Sequence, residues 1–238
     1  MSDNCSICEK RAARRRCPGT KSTGRISGVP ATPVVAICPA CCGRERETSI
    51  DCPLDCVYLR EARLHEHHGV EDYESIPNRE IDVSERFLRD HELELFGIGQ
   101  ALAEAMIADR SVDTEAAAAV ESLIQTYRTS QSGLIYEAPP EDPAAKTIHD
   151  HVKQRIQVVR EQLAAEVGAD TPPDFMSDEI VVKVLIFLQR LILQHSNGRR
   201  RGRRFFEFLL AFFAAPPSNA EQNEPQTEAG ASTLGNEG

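Results

Sequence analysis

All eight cysteines of this 238-residue chain fall within its first 56 residues, and the 182 residues that follow have none. Five of them, Cys38, Cys41, Cys42, Cys52 and Cys56, lie in ICPACCGRERETSIDCPLDCVYL, and Cys5, Cys8 and Cys17 lie just upstream. Between Cys17 and Cys38 runs PGTKSTGRISGVPATPVVAI, rich in Gly, Pro, Ser and Thr. Apart from Val34, Val35 and Ile37 it has few large apolar residues, so it reads as a loop leading into a short strand. A segment of this composition cannot bury enough apolar surface to fold unaided and needs a staple.

The compartment decides what kind of staple. MSDNCSICEKR at the N-terminus has no apolar h-region, so no secretory signal is expected. The most apolar run, from Ile180 to Leu193, is interrupted by Lys183, Gln189 and Arg190 and is shorter than the roughly 20 residues of a membrane span. A cytoplasmic protein is therefore expected. In that reducing setting clustered thiols serve metal or redox chemistry rather than disulfides. Metal is the reading adopted, and the metal-free module should be unfolded.

Cys5-x2-Cys8 and Cys38-x2-Cys41 have the spacing of two-ligand knuckles, in which a tight turn aims two thiolates at one ion at about 2.3 Å. Cys52-x3-Cys56 stands at the start of a helical stretch, where the helix dipole favours thiolates. Eight cysteines make two closed four-thiolate zinc sites. The pairing adopted is Cys5, Cys8, Cys38 and Cys41 on one ion, with Cys17, Cys42, Cys52 and Cys56 on the other; a crossed pairing stays open. So do one zinc with spare buried cysteines and an iron–sulfur cluster.

His65, His67 and His68 follow in LHEHH and are read as the polar end of a helix. They lack the i, i+4 histidine pair around a glutamate that a metalloprotease uses. His149 and His151 flank Asp150 with no companion ligands in view, and are read as structural. There is no G-x-x-x-x-G-K-[ST], no G-x-G-x-x-G after a strand and no G-x-S-x-G.

The formal charge of −10 is unevenly spread. Residues 1–50 hold nine Lys or Arg against four Asp or Glu, so the front carries +5 and the remainder −15. Arg11, Arg14, Arg15 and Arg16 precede Cys17. Arg199, Arg200, Arg201, Arg203 and Arg204 precede a Phe-rich stretch, where cations oppose the dipole of the helix they introduce. Both clusters are candidate anion or nucleic-acid contacts; the alternative is pairing with the body's own carboxylates.

From about residue 80 the pattern turns helical. Asp82 with Glu85 resembles a capping box, followed by a stripe of Leu88, Leu95, Ile98, Leu102 and Met106. Asp113 should cap a second helix with Val120, Leu123, Ile124 and Tyr127 buried. Asp142, Pro143 and Gly168 bracket a third, with Ile148, Val152, Ile156, Val159, Leu163 and Val167 as its stripe. Ser177 opens a fourth that is apolar nearly all round and hence central; Asn197-Gly198 ends it. The fifth, near 203–214, carries Phe205, Phe206, Phe208, Phe212 and Phe213, and Pro216-Pro217 stops it.

CPxCCGxxR followed by IxCPxDCxYL, with the upstream CSIC and CPG, resembles the N-terminal Cys-rich module of a group of uncharacterised bacterial proteins, in which a helical region follows. TYRTSQSGLIYE at 126–137 and HSNGR at 195–199 are also similar to stretches of that group. The resemblance implies a zinc-ribbon-like or treble-clef-like module and brings no activity with it.

The expected protein is mainly α: a Cys-rich zinc module over 1–68, a linker over 69–79, an all-α bundle of about five helices over 80–215, and a disordered tail over 216–238. The function expected is a non-enzymatic adaptor or regulator with a protein partner. A nucleic-acid-binding protein is the alternative, and a metalloenzyme or thiol redox protein the third reading.

Overall fold

A computed structural model describes residues 4–17, 35–66, 74, 76–131, 133, 139–166 and 175–213. His67, His68, Gly168, most of the expected linker and the expected tail lie outside the described residues. The protein is mainly helical, with eight helices and one two-stranded sheet among the described residues. No helix there is long and apolar enough to cross a membrane.

The module opens with β1 (Arg15–Cys17), paired antiparallel to β2 (Val35–Ile37), with Arg15 opposite Ile37 and Cys17 opposite Val35. Helix α1 (Pro39–Glu45) follows directly. Its N-cap is Cys38, whose sulfur accepts from the Cys41 N–H at 3.4 Å, and Pro39 takes the first helical position, where its missing N–H costs nothing. Helix α2 (Val57–Arg63) starts after Cys56. It is shorter than the run expected through LHEHH, and His65 is exposed in the turn beyond it. Apart from cysteines, the buried apolar core of this module among the described residues is Ile37, Ile50 and Leu59. So small an aliphatic core is thin for a unit of this size, and buried cysteines make up the rest of the cluster.

Among the described residues the body holds six helices, where about five were expected. The first expected helix divides into α3 (Glu85–Asp90) and α4 (Glu92–Asp109), because His91 leaves helical backbone at φ −123°, ψ 35°. Its ring packs at a tilt against Phe87 with centroids 4.6 Å apart, and its Nδ1 lies 3.3 Å from Glu94 Oε1. The N-cap is Ser84, whose Oγ accepts from the Phe87 N–H, and not Asp82. Helix α5 spans Asp113–Gln131 and α6 Pro143–Glu166, where Asp142 Oδ1 accepts from the N–H groups of Ala144 and Ala145 at 2.9 Å each.

Helix α7 (Asp178–His195), capped by Ser177, packs chiefly on α5 and also meets α4 and α8. Val181, Val184, Ile186 and Leu188 on it are wholly buried, as befits the central helix. The last helix, α8 (Arg204–Phe213), lays Phe205, Phe206 and Leu209 into the core and leaves Phe212 exposed. The stripe residues Ile98, Leu102, Met106, Val120, Leu123, Ile124, Ile148, Val152 and Ile156 all join one core.

Candidate metal centre

Cys5 and Cys8 sit on the turn before β1, and Cys38 and Cys41 on the first turn of α1. A hydrogen-bonded frame joins the two pairs: the Cys5 N–H donates to Arg11 O at 2.8 Å and the Ser6 N–H to Ala36 O at 3.0 Å. The result is one cluster in which the four sulfurs lie within 4.8 Å of one another, with Cys8 and Cys38 Sγ 4.0 Å apart. Four sulfurs at 2.3 Å around a tetrahedral ion stand about 3.8 Å apart, so the cluster is close to the geometry a metal needs. These are free thiols, not disulfides. One four-cysteine group near the N-terminus can therefore bind a metal such as zinc.

The protonation chemistry agrees with that reading. Burial raises the Cys5 thiol, but backbone hydrogen bonds from Cys38, Cys8 and Ile7 outweigh it and bring it down to about 6. Backbone hydrogen bonds from Lys10 and Arg11 lower Cys8. Cys41 moves the other way, up to about 12, first through burial and then through its contacts with Cys38, Cys8 and Cys5. Four thiolates this close repel one another, so in the bare protein some must keep their protons. A divalent cation is the group that stabilises all four at once. Four sulfurs would fill a tetrahedral ion and leave no position for water or substrate, as in structural zinc sites.

The other four cysteines do not converge in this way among the described residues. Cys17, Cys42 and Cys52 are buried and Cys56 half-buried. Burial pushes the Cys52 thiol up to about 12, the backbone hydrogen bond from Glu47 acting against it and the neighbouring charges of Cys17, Glu47 and Cys56 adding to it.

The second basic cluster turns out to join module to body. Glu47, just past α1 and 1 % exposed, holds Arg63 through a 2.8 Å ion pair and accepts from Asn197 Nδ2 at 2.8 Å. Its backbone carbonyl accepts from the Arg201 N–H. Arg63 also pairs with Glu207 on α8. Arg199 reaches the carbonyl of Arg46 at 2.6 Å. Arg203 pairs with Asp51 at 2.5 Å and donates to the carbonyls of Ser111 and Arg110, at the C-terminal end of α4, where the helix dipole favours a cation. Arg204 lies 3.7 Å from Glu66. Arg199, Arg203 and Arg204 thus have partners within this chain, and Arg200 alone among the five is exposed.

The adverse dipole at α8 is answered by Asp113. It does not cap α5 as expected; the Val112 N–H is met there by Glu115. Instead the Asp113 carboxylate accepts from the N–H groups of Arg204, Phe205 and Phe206 at 2.9 to 3.0 Å. Nothing local in the sequence signals this cap, because its donors lie about ninety residues away.

In the first cluster Arg11, Arg14 and Arg16 are exposed, while Arg15 lies 4.3 Å over the Tyr58 ring and donates to Cys42 Sγ at 3.2 Å. His149 is buried beside Asp150 at 2.9 Å, and His151 lies 3.6 Å from Glu104. Neither belongs to a metal-ligand group among the described residues. No protein-family model, curated protein or solved structure matches this chain. The reading rests on the geometry alone.

Proposed function

We propose that this protein is a non-enzymatic, zinc-stabilised adaptor or regulator that acts by binding another protein. The observation that carries the reading is the closed set of four thiols at Cys5, Cys8, Cys38 and Cys41. It gives a metal a holding role and denies it an open position for chemistry. Zinc suits the set because it takes four thiolates tetrahedrally and has no redox chemistry of its own. The module is joined to the helical body through the Arg203–Asp51 and Arg63–Glu207 ion pairs, which suits a metal that holds a surface in place.

The surface favoured for the partner lies at α4 and α8. Leu93, Phe96 and Phe212 are 75 %, 47 % and 62 % exposed, and the rings of Phe96 and Phe213 lie 5.9 Å apart across the two helices. Large apolar side chains grouped in this way on a surface suit a protein partner. The test is affinity capture from native extracts with the wild-type chain and a Phe96→Asp/Phe212→Asp variant, with nuclease treatment in both arms. A protein retained by the wild type and lost by the variant is the expected result. Turnover of a substrate that needs the metal, or thiols that react while the metal stays bound, would contradict the reading.

The second reading, nucleic-acid binding, is favoured by one observation: Arg11, Arg14 and Arg16 are all exposed on the module. Phosphate contacts would make affinity fall steeply with salt, with a slope of roughly −0.9 per contact on double-stranded DNA. Binding with no such slope, or none at low salt, removes this reading.

A further inference from the structure

Cys17, Cys42, Cys52 and Cys56 come from four separate places: the end of β1, the middle of α1, the loop after Ile50, and the residue before α2. All four border one small cavity. Cys41 and Cys42 are consecutive on α1, and consecutive helical residues point about 100° apart, so one turn of helix sends one thiol to each group. Buried cysteine can serve as a small apolar filler. A filler's task is to remove voids, however, and here the cysteines surround one. The cavity also has cations at its border. Arg15, held over Tyr58, donates to Cys42 Sγ at 3.2 Å, and Arg46 borders the cavity as well. Four thiolates around a divalent ion carry a net charge of −2, which two guanidinium groups can balance.

We propose that Cys17, Cys42, Cys52 and Cys56 form a second four-thiolate site, for a structural zinc ion. Binding draws the four sulfurs inward, forms four metal–sulfur bonds and releases the thiol protons to solvent, with no change of oxidation state. The site ties the hairpin to α1 and α2, as the Cys5 group ties the knuckle to α1. It does not depend on the adaptor reading, which requires only the first ion.

The test is cobalt(II) titration of the metal-exchanged full-length chain, read by thiolate charge-transfer absorption, with native mass spectrometry of the zinc form. Two equivalents are expected for the wild type and one for a Cys52→Ser/Cys56→Ser variant. One equivalent in the wild type, or two retained by the variant, overturns the proposal. Should the variant not fold, pulsed alkylation of the wild type during stepwise chelation decides. Cys17, Cys42, Cys52 and Cys56 are expected to become reactive together and in step with loss of one ion. Reactivity of these four out of step with metal loss overturns the proposal.

Discussion

Glu47 shows why a single residue matters here. It lies in the module, has φ 52°, and is 1 % exposed. Its carboxylate holds Arg63 and Asn197, and its backbone carbonyl holds Arg201. Replacing Glu47 with Ala would leave the buried Arg63 with the Glu207 pair and strip Asn197 of its carboxylate acceptor. Leaving buried polar groups without a partner costs about 1–3 kcal/mol, and chemical denaturation of Glu47→Ala against the wild type should show a loss of that order.

Asp113 gives a pH signature at the same scale. Burial pushes its carboxyl up to about 6, although three backbone N–H groups and their dipole pull the other way and the charge of Glu47 adds to the rise. Between its ordinary value of 3.8 and about 6 the folded chain keeps a proton that the unfolded chain has lost. The stability this contributes is full below the ordinary value and is lost as pH rises through about 6. From about pH 7.5 down to about pH 5, the wild type should gain roughly 1 kcal/mol on an Asp113→Asn variant in unfolding free energy. An unchanged difference would mean that Asp113 titrates at its ordinary value.

Among the elements, the segment between α7 and α8 is the least legible from sequence and does the most to set the architecture. HSNGR and the arginines after it read as a helix stop followed by a basic cluster. In the fold, Gly198 takes φ 66°, Asn197 Oδ1 accepts from the Arg199 N–H, and the Gly202 carbonyl accepts from the Asp113 N–H at 2.9 Å. A Cβ on Gly202 would run into Asn197 Oδ1 and come within 3.1 Å of the Arg199 carbonyl. Gly202→Ala should therefore cost about 1–3 kcal/mol by overpacking, measured as a lowered midpoint of thermal unfolding.

The long helices were readable because their 3.6-residue stripes and local caps at Ser177 and Asp142 act within one turn. Strand β1 was not, since three residues carry no periodic signal and its pairing with β2 is a long-range fact. The cap at Asp113 and the partners of Arg203 were hidden for the same reason. At the candidate metal centre, the knuckle spacing pointed to the cluster of Cys5, Cys8, Cys38 and Cys41, because two cysteines about one turn apart can share a direction. The destinations of Cys17 and Cys42 depend on how the hairpin folds onto α1.

At the scale of the whole molecule, metal, module and body form one chain of dependence. The cysteine cluster includes the start of α1, the end of α1 places Glu47, Glu47 receives Asn197, and Asp51 receives Arg203 at the edge of the helical core. Chelation should accordingly unfold the module and also lower the thermal midpoint of the helices, while most far-ultraviolet helical signal survives at room temperature. The body has its own continuous core from Ile98 to Leu209, which supports that survival. Loss of the whole helical signal on chelation would mean that the body cannot stand without the module.

The central claim is a closed, all-sulfur metal centre at the N-terminus. X-ray absorption at the zinc edge of the full-length protein, purified without added metal, tests it most directly. Sulfur scatterers alone at about 2.3 Å are expected. A nitrogen or oxygen ligand at about 2.0 Å would mean that sulfur does not fill the coordination sphere and would contradict the account.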